Sequence, residues 1–149
     1  MINRLRVRAQ SESGFTLVEL LVVMLILGLL AAIAIPAFFN QRTKAQDAEA
    51  KSTVKTAQTA LETYATDNNG SYAGADRAKL KQIEPTLSSA SSGANAITTL
   101  TVASNAYTLT VTSDSGNTFT IARDTAGSLT YPCTPSGGGG GCPGSQGWG

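Results

Sequence analysis

Between Phe15 and Phe39 the chain reads FTLVELLVVMLILGLLAAIAIPAFF, 25 residues interrupted among strongly non-apolar types only by Thr16, Glu19 and Pro36. At about 1.5 Å rise per residue this makes roughly 37 Å of helix, enough to cross a hydrocarbon core of about 30 Å. Upstream stand Arg4, Arg6 and Arg8 against Glu12, whereas downstream Arg42 and Lys44 are mixed with Asp47 and Glu49. That asymmetry puts the N-terminus in the cytoplasm and the rest of the chain outside. Roughly 110 residues remain, enough for one small folded domain.

Two ordinary readings of such a segment leave something over. A secretory signal would be cut after Ala32, Ile33 and Ala34 and would release a soluble protein from Ile35, but an acid within the apolar region opposes it and the apolar run continues to Phe39. A plain signal anchor accounts for the arginines and the length and gives no reason for Glu19. An acid at the centre of a spanning helix costs about 2.5 to 3.5 kcal/mol, less near an end, so it calls for a partner.

Composition removes several functions. Net charge is +1 and charged residues are 14% of the chain, so no bulk basic field makes nucleic acid the default partner. With no His and two Cys, a tetrahedral zinc site lacks ligands. A His-based nucleophilic system is absent, no Gly-rich phosphate loop lies between a strand and a helix, and Asp114 and Asp124 fall in turn sequences. The chain therefore reads as a non-enzyme.

After Asn40 the pattern becomes amphipathic without a stop. Ala50, Val54, Ala57, Leu61 and Ala65 form one stripe of a helix, and Lys51, Lys55, Glu62 and Asp67 point elsewhere. Asn68, Asn69 and Gly70 end it. The expectation is one helix from Phe15 to about Asp67, with residues 15–39 its membrane half and 40–67 its soluble half. Residues 68–96 form a connection with a short helix over 75–83; its Arg77, Lys79 and Lys81 read as a solvated face in preference to a ligand patch. Over 97–131 the period becomes two. Leu100 and Val102, then Tyr107, Leu109 and Val111, then Phe119 and Ile121 line one face, with a fourth strand over 129–131. The whole is α+β: a long N-terminal helix, kinked at Pro36, whose second half packs on a three- or four-stranded antiparallel sheet. Residues 132–149 are a Gly-rich tail holding Cys133 and Cys142; outside the cytoplasm these read as a disulfide, with two free thiols as the alternative. Nothing in the sequence decides whether Trp148 docks or stays exposed.

The residues around Gly14, SGFTLVELLVV, resemble the class III leader of type IV pilins and of their relatives, the pseudopilins of type II secretion. Gly14, Phe15, Thr16, Leu17, Val18 and Glu19 match, specifically over about the first 55 residues and architecturally beyond. The resemblance implies a leader of residues 1–14, cleavage between Gly14 and Phe15 by a prepilin peptidase, and N-methylation of Phe15. It implies that Glu19 pairs with the Phe15 amine of a neighbouring subunit during assembly, and that Gly28 and Pro36 let the helix loosen on leaving the bilayer. It implies a homo-oligomeric or mixed filament, an inner-membrane assembly platform, a single-pass precursor in the cytoplasmic membrane and a surface pilus after processing. Nucleic acid enters only for a competence pilin. Many pilins carry a C-terminal disulfide loop, and core pseudopilins carry calcium, for which Asp114 and Asp124 are the acids at hand; no cofactor is otherwise expected. Of the two filament readings, the type IV pilin is preferred to the type II pseudopilin, with a non-polymerising membrane-anchored binding module more remote.

Overall fold

A computed structural model describes residues 14–135, 141–143 and 147–149. Arg4, Arg6, Arg8, Glu12 and parts of the Gly-rich tail lie outside the described residues. The chain divides into two compact units, Met1–Ala37 and Phe38–Gly149; the second is the head.

Helix α1 (Leu17–Asp67) begins in the first unit and ends in the second, with Pro36 inside it. It starts two residues later than expected because Thr16 is its cap. The Thr16 hydroxyl accepts from the Glu19 amide at 3.2 Å, and the Thr16 carbonyl accepts from the Leu20 amide at 3.2 Å, the arrangement that satisfies first-turn donors. Its end falls at Asp67 as expected. Asn69 and Gly70 adopt the left-handed region (φ 56° and 80°), and the Gly70 amide returns to the Ala65 carbonyl at 2.7 Å.

Among the described residues of the first unit no large apolar side chain is buried. Every large apolar side chain from Phe15 to Phe39 is exposed, Phe15 at 77% and Leu25 at 71%. Burying side chains of this size is worth about 1.5 to 3 kcal/mol each, so this surface is driven toward lipid or protein. Among the described residues, α1 is the one helix long and apolar enough to cross a membrane.

In the head, the five stripe residues are all buried, and the stripe also includes Ala60 and Asp47. Helix α2 (Arg77–Ile83) is capped by Asp76, whose side chain accepts from the Lys79 amide. The strands are β1 (Ile97–Val102), β2 (Tyr107–Thr112), β3 (Thr118–Arg123), β4 (Leu129–Thr130) and β5 (Cys133–Thr134). They form an antiparallel sheet of order β1-β2-β3-β4, with β5 also pairing β3. This is one strand more than expected, and it corrects the boundary at residue 131. Pro132 has no amide to donate, so the last strand is split around it, yet its carbonyl still accepts from Thr120 at 2.9 Å. Cys133 and Thr134 thus belong to the sheet rather than to a loose tail.

The period-two reading gives the correct face. Tyr107, Leu109, Val111, Phe119 and Ile121 are buried, and threonines line the other side, where Thr110 and Thr120 exchange a hydroxyl hydrogen bond across β2 and β3 at 2.9 Å. Leu100 and Val102 are only half-buried; a register shift between Ile97 and Thr99 interrupts β1. Phe119 is fully buried and meets the Trp148 ring edge to face at 5.7 Å. Phe119→Ala is expected to lower the stability of the head by about 3 to 5 kcal/mol, read from the denaturant midpoint of the full chain in detergent micelles by near-ultraviolet circular dichroism.

Candidate functional site

The first candidate site is the start of α1. Gly14, Phe15 and Thr16 precede the helix, and Glu19 lies in its first turn, exposed. A peptide bond outside a helix is open to a peptidase, so the Gly14–Phe15 junction is available in a way that a bond within α1 is not. Glu19 is one turn from Phe15, where an acid is favoured by the helix dipole at about 0.3 to 1 kcal/mol. In sequence the acid stands four residues after Phe15. Gly28 and Pro36 both lie within α1 and exposed.

The second site was not foreseen. Asp47, read from sequence only as a flanking charge, is completely buried. Its carboxylate accepts from the Ser115 hydroxyl, from Asn117 Nδ2 at 2.8 Å and from the Gly141 amide at 2.6 Å. Burial pushes the carboxyl up; the bonds from Ser115, Gly141, Asn117 and Ser113 outweigh that and hold it below its ordinary value. One acid thus ties α1 to the β2–β3 turn and to the C-terminal loop. The signal was present: continuing the stripe from Ala50 one step back lands on residue 47, and SDSGN supplies the donors.

That loop is closed by the Cys133–Cys142 disulfide, with Cα atoms 5.7 Å apart, and Cys142 is buried. The two free thiols of the alternative reading are therefore not found. Trp148 docks: its Nε1 donates to the carbonyls of Thr120 and Pro132 at 3.2 and 3.1 Å, and Lys51 and Lys55 lie over its ring at 5.7 Å each. These two lysines cover aromatic surface instead of pointing only to water.

Glu62, also read as pointing elsewhere, accepts from the hydroxyls of Tyr72 at 2.7 Å and Tyr107 at 3.0 Å. Burial first, then the hydrogen bond to Glu62 and its charge, raise the Tyr72 hydroxyl above its ordinary value, against the opposing charge of Arg123. This network joins the connection after α1 to β2. Arg77 donates to the carbonyls of Ile97 and Thr98 at 2.7 and 3.0 Å, and Lys79 donates to Gly74 at 2.7 Å. Both are thus engaged within the head. Asp124 accepts from the Ala126 and Ser128 amides of its own turn at 2.9 and 2.8 Å. Among the described residues no three His, Cys, Asp or Glu side chains converge in one cluster.

Residues 10–35 match the family model for the prokaryotic N-terminal methylation motif. The chain is 41% identical over 58 residues to the type II secretion system core protein G of Aeromonas hydrophila, covering 39% of this chain and 41% of that protein. It is 45% identical over 51 residues to the type IV major pilin protein PilA of Myxococcus xanthus, covering 34% and 23%. By these matches the N-terminal part of the chain is similar to type IV pilins and type II secretion pseudopilins. A third relative, the type IV major fimbrial protein FimA of Dichelobacter nodosus, is 43% identical over 56 residues, covering 38% of this chain and 36% of that protein. The chain thus spans less than half the length of each of these relatives. They are named as pilus, fimbrial or secretion-system proteins and none as an enzyme. No solved structure is a significant match. The pilin architecture, a long N-terminal helix packed in its second part on an antiparallel sheet, is the one described above.

Proposed function

We propose that this chain is a structural subunit of a type IV pilus filament serving adhesion, motility or DNA uptake. A prepilin peptidase cleaves it between Gly14 and Phe15 and methylates Phe15. The precursor waits in the cytoplasmic membrane with its N-terminus inside and its head outside, and an inner-membrane platform extracts it. Its bare helix then packs with those of like or mixed subunits, Glu19 meets the Phe15 amine of a neighbour, and the stretch between Gly28 and Pro36 yields as lipid is left behind.

One observation carries this reading: an apolar helical surface with every large side chain exposed from Phe15 to Phe39, and one acid placed a turn after the expected cut. A lipid anchor needs the first feature alone; a subunit that exchanges lipid for identical neighbours uses both. The Cys133–Cys142 disulfide near the C-terminus favours the pilus. The likeness to core protein G favours a second reading, a type II secretion pseudopilin. Shearing cells and probing the released material distinguishes them. The pilus reading expects the chain in sheared filaments; its retention in the envelope, with secretion lost on deletion, would support the second reading instead.

A further inference from the structure

We propose that Asp47 is a redox-gated latch: its carboxylate locks the helix, the β2–β3 turn and the C-terminal loop together only when the Cys133–Cys142 disulfide holds the Gly141 amide against it. Three observations lead there. Gly141 is the residue next to Cys142, so the covalent link fixes the position of the amide that reaches Asp47 at 2.6 Å. The contact admits only glycine, since a Cβ at position 141 would lie 2.7 Å from the Asp47 Cβ. Finally, the same carboxylate oxygen receives Asn117 Nδ2 while the other receives the Ser115 hydroxyl, so the loop and the turn share one buried charge.

Opening the disulfide leaves Gly141 within the stretch between Thr134 in β5 and the docked Trp148. The amide is then tethered only through the chain between those two anchors instead of by its cross-linked neighbour, and its local concentration at Asp47 falls. The buried carboxylate loses a charge-assisted donor, and its remaining bonds to the turn must hold a charge that is less well satisfied. Lys51, whose Nζ lies 3.4 Å from the same Cβ position at residue 141, is the nearby cation; it is carried by α1, so the disulfide does not set its position. Closure removes two electrons and two protons from the two thiols, and a protein or small-molecule disulfide accepts them by exchange and becomes two thiols. The head is therefore locked only where such oxidants operate, a checkpoint on subunits that have not yet left a reducing compartment.

Hydrogen exchange by mass spectrometry on the full chain in detergent micelles, oxidised or reduced with a phosphine, tests this. In the wild type, reduction should speed exchange of the 113–117 turn on the order of tenfold, although the turn carries neither cysteine. In Asp47→Asn the turn should exchange fast in both redox states. Should that variant fail to fold, the Ser115→Ala, Asn117→Ala pair retains the carboxylate and should make the turn insensitive to reduction while the Gly141 peptide stays sensitive. A wild-type turn indifferent to reduction, or a turn as redox-sensitive in either variant as in the wild type, would overturn the latch.

Discussion

Asp47→Ala is expected to destabilise the head by about 3 kcal/mol or more, comparable with removal of a core aromatic and larger than any surface charge change. The acid is fully buried and receives three donors from two segments far away in the chain. Alanine leaves the Ser115 hydroxyl, the Asn117 amide and the Gly141 N–H without that acceptor, and each buried unsatisfied group costs about 1 to 3 kcal/mol. Chemical denaturation of the full chain in micelles, followed by near-ultraviolet circular dichroism, reads the loss. A pH signature accompanies it. The folded-state value of Asp47 is lowered from 3.8, so the unfolded chain takes up the proton first. The stabilisation is complete above pH about 4 and is lost as pH falls through the lowered folded-state value. Wild type and Asp47→Ala should therefore converge in stability toward acid and diverge above it. Parallel profiles would show that the charge contributes nothing.

Glu19→Gln is expected to leave membrane insertion and leader cleavage intact and to cut filament yield roughly a hundredfold. The glutamine side chain keeps the size and the helix position, and the Thr16 cap uses the backbone amide of residue 19, which the substitution preserves. What disappears is the negative charge. On the proposed pairing, the Phe15 ammonium of the neighbour is then left unpaired in an apolar filament interior, and breaking one partner of a buried pair costs about 3 to 5 kcal/mol, a factor of a hundred or more. Quantitative immunoblotting of sheared filaments against total processed subunit separates assembly from expression. Normal yield would mean that Glu19 serves the helix terminus alone.

What the sequence disclosed and what it hid divide along one physical line. Elements governed by local pattern were legible: the apolar run, the stripe from Ala50 to Ala65, the stop at Asn69 and Gly70, and the alternation of β2 and β3 all stand where periodicity places them. Features that depend on partners distant in the chain were not. Asp47 and Glu62 look like solvated helix charges until the donors that meet them, residues 115, 117 and 141 for one and Tyr72 and Tyr107 for the other, are brought in by the fold. Trp148 was undecidable for the same reason, since its hydrogen-bond acceptors are carbonyls of β3 and of the break at Pro132. The split of the last strand is intermediate: Pro132 announces that a ladder bond is missing, but only the return of Cys133 to Phe119 shows that pairing resumes after it.

Above all, the exposed apolar helix is proposed as an assembly device made competent by processing. Intact-mass and N-terminal fragment measurement of the mature chain from the producing cell tests this most directly. The expected chain begins at Phe15, and its first residue carries one added methyl on its amine. A chain still beginning at Met1, or one beginning at Ile35, would contradict it.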